Sequence, residues 1–214
     1  MLAFFSLFVG FILVTFVIPF FALIRNRKPL EVTIQLTIAL AFFFLATLCA
    51  TPLIKCFGSK PITFISLGLA TGACFLLSKG SSDKDLTVNA DDNTLTKMIK
   101  AAVSFSDGAI IGYLLICIAI AFLTVASLDE VLQGTENTLL RTKFVEASNL
   151  HLFVESAFMV LAIIQVAHVL GPIIGGLINT GSGMSLTCIY MGIFGAASLL
   201  IYVIFAIYVY CTVH

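Results

Sequence analysis

Charged residues are scarce in this 214-residue chain, at only 10% of the total. A soluble globular domain carries about 25% charged residues. Hydrophobic residues reach 60%, and the mean hydropathy is +1.15. This composition excludes a water-soluble fold and a disordered chain. Because Lys plus Arg and Asp plus Glu number 11 each, no net charge attracts nucleic acid. The sequence therefore predicts an α-helical protein embedded in a lipid bilayer.

The motifs of soluble enzymes and of metal sites are also missing. The chain has no P-loop, no His-Glu-x-x-His pair, no nucleophile elbow and no dinucleotide-binding glycine pattern. The six cysteines include no Cys-x-x-Cys pair, and the three histidines are far apart along the chain. We therefore expect no enzyme, no metal, no cofactor and no disulfide framework. The cysteines are interpreted as small buried hydrophobic residues.

The chain contains long apolar runs. A membrane-spanning helix needs about 20 mostly apolar residues. Six runs predict six spans, at about 3–24, 33–54, 61–78, 109–128, 152–178 and 185–211. The first run has no basic segment before it and no small-residue cleavage site, so we expect a retained span and not a signal peptide. A chain that starts almost inside a helix also resembles a piece of something longer.

The longest polar segment, 79–108, is predicted to contain a short amphipathic helix at about 94–105 on the membrane surface.

The charges of the polar segments leave the orientation of the chain in the membrane open. The segments 25–32, 79–108 and 179–184 carry seven Lys or Arg, against four on the other side. The positive-inside rule places the first set in the cytoplasm, but five Asp in 79–108 weaken that count. A plasma membrane and an intracellular vesicle membrane both remain open.

The six spans fall into two triplets with the same spacing. In each triplet a tight link, 55–60 or 179–184, joins the second and third spans. Each of these second spans has a proline near its end, Pro52 or Pro172. Because three is odd, the triplets must cross the bilayer in opposite directions, which predicts a 3+3 inverted repeat.

The sharpest local motif is Gly-Pro-Ile-Ile-Gly-Gly, near the end of the fifth span. Pro172 frees a backbone carbonyl, while Gly171, Gly175 and Gly176 let a neighbouring backbone approach. We expect a hinge or a tight helix seam, and ordinary close packing is the alternative. The motif resembles the glycine-proline motif of the major facilitator superfamily, best known in its antiporters.

A second, partial match lies between the second and third spans. The segment 51–61 resembles the loop motif G-x-L-x-D-R-x-G-R-K of that superfamily: Gly58 and Lys60 fit, whereas Lys55 and Cys56 replace the usual Asp and Arg. These two replacements in the loop motif are typical of the C-terminal six-helix half of these transporters. The fourth span also lacks the Arg with which it normally begins in the N-terminal half. In both respects the chain resembles the C-terminal half. Among subfamilies the chain looks closest to the vesicular amine and polyamine antiporters. By that resemblance the loops 55–60 and 129–150 are cytoplasmic, against the raw charge count.

The resemblance implies one half of a major facilitator fold, and a function in secondary active, proton-coupled transport of a small organic solute. In this superfamily the substrate site forms between two halves, so the chain would need a second six-helix half, either a copy of itself or a separate chain. Monoamine-carrying relatives place a carboxylate near Val160–Ala162, where this chain has none. The alternative is a non-transporting scaffold, an accessory subunit or an inactive truncated fragment.

Polar residues within the spans are the candidates for the substrate or proton pathway, because such residues are costly in lipid. His168 is a candidate because histidine is the side chain that can exchange a proton near neutral pH, and Gln165 lies one turn before it. A neutral His168 donating to a backbone carbonyl is the structural alternative. Glu155, at the start of the fifth span, and Thr124, in the fourth, complete the set. Lys55 and Lys60 are expected to anchor helix ends, and Asp129 and Glu130 to be solvated end-caps.

Overall fold

The computed structural model describes residues 2–16, 29–80, 108–142 and 149–213. Side chains are described for 2–16, 37–78, 111–134, 154–179 and 185–208, together with 183 and 211. The predicted surface helix at 94–105, most of the loop 79–108 and the second part of the predicted first span lie outside these residues.

The described part of the chain is helical throughout, apart from short breaks. Backbone groups in hydrocarbon have no water to bond, and a helix satisfies them internally. The helices are α1 (Leu2–Thr15), α2 (Pro29–Phe57), α3 (Ser59–Gly80), α4 (Gly108–Thr142) and a final segment, Asn149–Val213, which is interrupted at Gly183. We number the two arms of that segment α5 (149–182) and α6 (184–213).

Among the residues that the structure describes, five helices are long and apolar enough to cross a membrane, which makes this an integral, multi-pass membrane protein. The apolar stretches are Thr37–Phe57, Ser59–Ser78, Ile111–Gly134, Val154–Asn179 and Ser185–Tyr208. Within the described residues, these five stretches overlap the predicted spans two to six. Helix α1, at 14 residues, is about 21 Å long and shorter than the bilayer core.

The two tight links are breaks at single glycines. Gly58 adopts a φ of +84°, and its N–H donates to the carbonyl of Ile54 at 2.8 Å, which ends α2. Gly183, at φ 76° and ψ 168°, separates α5 from α6. Residues with a Cβ rarely adopt a positive φ, so glycine is required at both positions.

Helix α4 differs from the sequence-based expectation. It continues to Thr142, so the first part of the predicted loop 129–150 is helical. The polar residues after 128 mark the end of the apolar stretch. They are compatible with a helix that continues beyond the membrane-spanning part.

The core lies between α1, α3 and α4. Its largest fully buried side chain is Phe16, directly after α1, and the next largest are contributed by these three helices: Leu7, Leu13, Leu67, Leu77, Ile116, Ile120 and Leu123. By contrast, only 22% of the apolar stretch of α2 and 17% of that of α5 is buried, against 50% in α3 and 56% in α4. Helices α2 and α5 are therefore peripheral in this chain.

Helix contacts run mainly between the two triplets. Helix α4 packs most extensively against α3, and also against α2 and α1. Helix α1 packs against α5 through Gly171 and against α6 through Gly195, whereas α3 packs against α6 through Gly68 and Gly192. The first helix of each triplet thus lies against the second and third helices of the other.

Candidate functional site

The seam between α1 and α5 is built around Thr15 and Gly171. The Thr15 hydroxyl lies 2.7 Å from the carbonyl of Phe11, in its own helix, and 3.3 Å from the carbonyl of Ala167 in α5. A Cβ placed on Gly171 would overlap Thr15 Oγ1 and lie 3.2 Å from the carbonyl oxygen of Ile12. Gly171 is therefore required for the close approach of these helices, as the small-residue motif predicts.

The other residues of the hexapeptide contribute differently. Gly175 is buried and Pro172 is partly buried, with the helix continuing on both sides of the proline. A Cβ on Gly176 would meet no described atom within 4 Å. The seam is thus made at Gly171, and the hinge role of the motif stays a prediction.

His168 projects from the exposed side of α5, beside α1. Its Nδ1 lies 2.9 Å from the carbonyl oxygen of Ile164, and its ring centroid is 5.3 Å from that of Phe11. Because a carbonyl oxygen only accepts hydrogen bonds, Nδ1 must carry the proton. In the neutral ring, Nε2 is then a hydrogen-bond acceptor. The backbone contact expected from the structural alternative is present, and it leaves Nε2 able to take up a proton or accept from a solute.

The exposed arc of α5 carries Gln165 and His168 toward one edge, where the apolar Leu161, 52% exposed, also lies about 20° around the helix from His168. At about 100° per residue, His168 and Gln165 lie about 60° apart, and Asn179 falls almost in line with His168. Gln165 and His168 are exposed, and Asn179 is partly buried. Met159 and Leu177, 61% and 70% exposed, lie about 180° around the helix from His168. We call the line of Gln165, His168 and Asn179 the polar edge, and the side of Met159 and Leu177 the apolar edge.

Thr124 and Glu155 lie apart from the polar edge. The Thr124 hydroxyl, partly buried in α4, donates to the carbonyl of Ile120 in its own helix at 2.7 Å. Glu155 is exposed at the start of the α5 span, about 15 Å along the helix axis from Gln165. Of the four pathway candidates, the structure therefore groups only Gln165 and His168.

The loop-motif residues lie at the junction of α2 and α3. Lys55 and Lys60 are exposed on either side of Gly58. Their exposure at helix ends is compatible with an anchoring role. Lys60 also acts electrostatically on Glu130, at the end of the α4 span.

Glu130 is the polar residue that the sequence analysis placed differently. It was expected to be a solvated end-cap, but it is partly buried. Its Oε1 accepts hydrogen bonds from Thr63 in α3 and from Tyr202 in α6, each at 3.3 Å. Asp129 fits the expectation better, since it accepts from Gln133 at the exposed surface at 2.8 Å.

The grouping of Thr63, Glu130 and Tyr202 could be predicted by comparing their depths along the spans. Helix α3 starts at the end of the bundle where the apolar stretches of α4 and α6 finish. Thr63, Glu130 and Tyr202 each lie a few residues from that end, so the three fall at a similar depth. Matching polar residues by depth, and not only by spacing within one span, would have brought them together.

The six cysteines differ in their exposure. All six cysteines are free; Cys74, Cys117 and Cys188 are buried, whereas Cys49, Cys56 and Cys211 are exposed. The interpretation as buried hydrophobic residues therefore holds for three of them. Among the described residues, no group of three His, Cys, Asp or Glu side chains could hold a metal ion.

Comparison with protein-family models, with curated proteins and with solved structures found no match to this chain.

Proposed function

We propose that this chain is one six-helix half of a transporter of major facilitator type, which moves a small organic solute across a membrane in a proton-coupled manner. The packing between the triplets is the observation that carries the proposal. Suppose that each helix of the first triplet is exchanged with its counterpart in the second: α1 with α4, α2 with α5 and α3 with α6. The contacts of α1 with α5 and α6 then become the contacts of α4 with α2 and α3, and both sets are present in the structure. Such an exchange is expected for two inverted repeats related by a pseudo-two-fold axis.

Two further contacts map onto themselves under this exchange. Helices α1 and α4 meet where Gly10 faces Leu123 and Ile120, while α3 and α6 meet where Gly192 faces Phe75 and Gly195 faces Thr71. A pseudo-two-fold axis passes between paired elements of this kind. The small residues at both contacts let the helices approach closely, which supports a 3+3 inverted repeat.

The polar edge of α5 supports a water-facing or protein-facing surface. Polar side chains exposed to lipid within a span are costly and are usually directed to a cavity or a partner. Gln165 and His168 are exposed in this chain, and α2 and α5, which exchange under the pseudo-symmetry, are the least buried long helices. We propose that the polar edge lines a pathway shared with a second six-helix half, either another copy or a separate chain.

The charge distribution favours a solute that is not a simple monoamine cation. The acidic side chains described in the spans are Asp129, Glu130 and Glu155, all near one end of the bundle. The polar edge offers an imidazole and amides, with no carboxylate to balance a bound cation. A neutral or anionic solute with hydrogen-bonding groups suits this edge better.

A scaffold or accessory subunit is the competing function, and an inactive fragment is its limiting case. It would use the polar edge only for contacts with another protein. A flux measurement distinguishes a transporter from a scaffold, because a scaffold moves no solute, regardless of which partner contacts the polar edge.

The test is solute-driven proton flux in liposomes that contain the purified chain, or the complex in which it purifies, and an enclosed pH-sensitive dye. We expect members of a panel of neutral and anionic organic solutes to change the internal pH. His168→Ala should abolish the change, and Met159→Ala, on the apolar edge, should leave it intact. Flux unchanged by His168→Ala would remove that residue from the mechanism. An absence of flux across the panel would support the scaffold.

A further inference from the structure

Hydroxyl groups from two neighbouring helices lie beside the carboxylate of Glu130 in α4. Its Oε1 is 3.3 Å from the hydroxyl of Thr63 in α3 and 3.3 Å from that of Tyr202 in α6. Thr63 is 0% exposed and Tyr202 is 3% exposed. Both contacts are longer than the roughly 2.7–2.8 Å that is usual for a hydrogen bond between two oxygen atoms. The hydroxyls therefore surround the carboxylate without holding it tightly.

A second layer of hydroxyl groups lies one helical turn deeper in the same three helices. Helix α3 is antiparallel to α4 and α6, because its start contacts their ends and its end contacts their starts. A step of three or four residues inward along each helix is about 4.5–6 Å, within roughly 60° of the same face. Each such step reaches a serine that is 1–3% exposed. We call the two layers together the Glu130 cage: Thr63 and Ser66 in α3, Ser127 and Glu130 in α4, and Ser198 and Tyr202 in α6.

The hydroxyl groups of Ser66 and Ser198 are free to bind a ligand. Thr71 and Thr124 donate to the carbonyl four residues before them in their own helices. Ser66 and Ser198, in contrast, have no hydrogen-bond partner among the residues that the structure describes. A buried hydroxyl is costly unless a water, an ion or another group satisfies it. Two such hydroxyls in one cage therefore indicate that the cage holds a ligand.

Ser127 also offers an oxygen atom to the cage. Its hydroxyl lies 3.5 Å from that of Ser6 in α1. Because Ser6 donates its single hydrogen to the carbonyl of Ala3 at 2.9 Å, Ser127 is the donor of the serine pair. A lone pair of the Ser127 oxygen remains available, since a hydroxyl has two.

The chemistry of the cage favours a small monovalent cation. Its ligand atoms are all oxygen, which suits hard cations and not soft metals. A single carboxylate balances one positive charge, whereas Ca²⁺ sites usually contain several carboxylates. Na⁺ is close to Ca²⁺ in size, so its oxygen ligands lie at about 2.3–2.6 Å and neighbouring ligands roughly 3.3–3.7 Å apart. The 3.3 Å separations of the two hydroxyls from Oε1 agree with this spacing.

We propose that the Glu130 cage is a Na⁺ site between α3, α4 and α6. Each hydroxyl can turn its hydrogen away and direct a lone pair at the ion. Desolvation makes a buried carboxylate charge unfavourable, and a bound cation offsets that cost. Glu130 is only partly buried, so an ion can reach the cage from this end of the bundle. The site includes no residue of the polar edge, and the proposal does not depend on transport.

The surroundings of the cage are compatible with a cation. Lys60, at the start of α3, acts on Glu130 electrostatically and opposes a second positive charge. Because Lys60 is exposed, water and salt screen this repulsion. The sequence analysis expected no metal because it considered His and Cys ligands. Hydroxyl ligands from three separate helices leave no such pattern in the sequence.

The test is the thermal unfolding midpoint of the full chain in detergent micelles, titrated with NaCl or with choline chloride at matched ionic strength. A ligand that binds only the folded state raises the midpoint. We expect a Na⁺-specific rise of roughly 3–6 °C at about ten times the dissociation constant. Equal effects of the two salts, as expected if the cage holds only water, would overturn the proposal.

Two neighbouring acidic residues assign the effect to the cage. Glu130→Gln removes the carboxylate charge and should abolish the Na⁺-specific rise. Asp129→Asn is the matched control, because Asp129 is hydrogen-bonded to Gln133 at the exposed surface, and it should retain the rise. A full Na⁺-specific rise in Glu130→Gln would contradict the assigned site.

Serine substitutions give a second test that does not depend on the folding of Glu130→Gln. Ser66→Ala and Ser198→Ala each remove one oxygen ligand and should increase the NaCl concentration for a half-maximal rise by roughly threefold to tenfold. Ser185→Ala is the control, since Ser185 contacts Ser78 at the opposite end of the α3–α6 seam, and it should leave that concentration unchanged. An unchanged concentration in both cage variants would also overturn the proposal.

Discussion

At the scale of single residues, Thr15 and Gly171 set the distance between α1 and α5. The hydroxyl of Thr15 is directed at a carbonyl of the neighbouring helix, and Gly171 has no side chain that would displace it. Gly176, in the same hexapeptide, faces no described atom within 4 Å. Two glycines of one motif therefore have different roles, which can be separated experimentally.

We expect Gly171→Ala to destabilise the protein by about 1–3 kcal/mol, because the new methyl group overpacks the seam. Gly176→Ala is the matched control, and it should be neutral or stabilise by up to about 1 kcal/mol, since alanine favours helix. Chemical unfolding in mixed micelles measures both changes. Removing the Thr15 hydroxyl with Thr15→Ala should reduce the cost of Gly171→Ala. Equal effects of the two glycine substitutions would contradict the assigned seam.

The sequence predicted the seam motif but not the partner of each residue. Gly171 was identified because Gly and Pro in a span have few uses other than close approach or bending. Its contact with Thr15 depends on a packing across more than 150 residues of chain. The same reason explains why Glu130 was interpreted as an end-cap, since its donors belong to helices far away in sequence.

At the scale of helices, glycine placement determines where the chain turns. Gly58 and Gly183 have positive φ values, and each ends one helix and permits the next to begin. Pro52 and Pro172, which the sequence analysis associated with the ends of spans, lie inside α2 and α5. The turn therefore follows the glycine and not the proline.

The backbone at these glycines gives a prediction about stability. Gly58→Ala should cost about 1–2 kcal/mol, because a Cβ is disfavoured at positive φ. Gly183→Ala should cost at least as much, since its ψ of 168° lies in a region that only glycine populates readily. Gly72→Ala, inside α3 with no described atom within 4 Å of the new Cβ, is the control and should not destabilise. Unfolding midpoints of the three variants provide the comparison.

Span positions could be predicted at this scale, whereas helix ends could not. Apolar runs mark hydrocarbon because every charge within them is costly, and the five apolar stretches of the structure overlap the predicted spans two to six. Helix α4 continues to Thr142 because polarity ends a membrane span without ending a helix. Side-chain polarity thus indicates where a helix leaves the membrane, whereas the backbone conformation determines where the helix ends.

At the scale of the whole molecule, the least buried long helices are the two that exchange under the proposed pseudo-symmetry. Helices α2 and α5 leave most of their apolar stretches exposed, and α5 also carries the polar edge. Lipid suits the apolar edge at Met159 and Leu177, 61% and 70% exposed, but it does not suit Gln165 and His168. The two edges of α5 should therefore lie in different surroundings, one in lipid and the other against water or protein.

Thiol labelling in native-like membranes tests that central claim most directly. In a variant with all six cysteines replaced by alanine, single substitutions would be Gln165→Cys, His168→Cys, Met159→Cys and Leu177→Cys. A water-soluble, membrane-impermeant thiol reagent should label the first two, because a thiol reacts as its hydrated thiolate. It should leave the last two unlabelled. Equal labelling on both edges, or labelling restricted to Met159→Cys and Leu177→Cys, would contradict a water-accessible pathway along the polar edge.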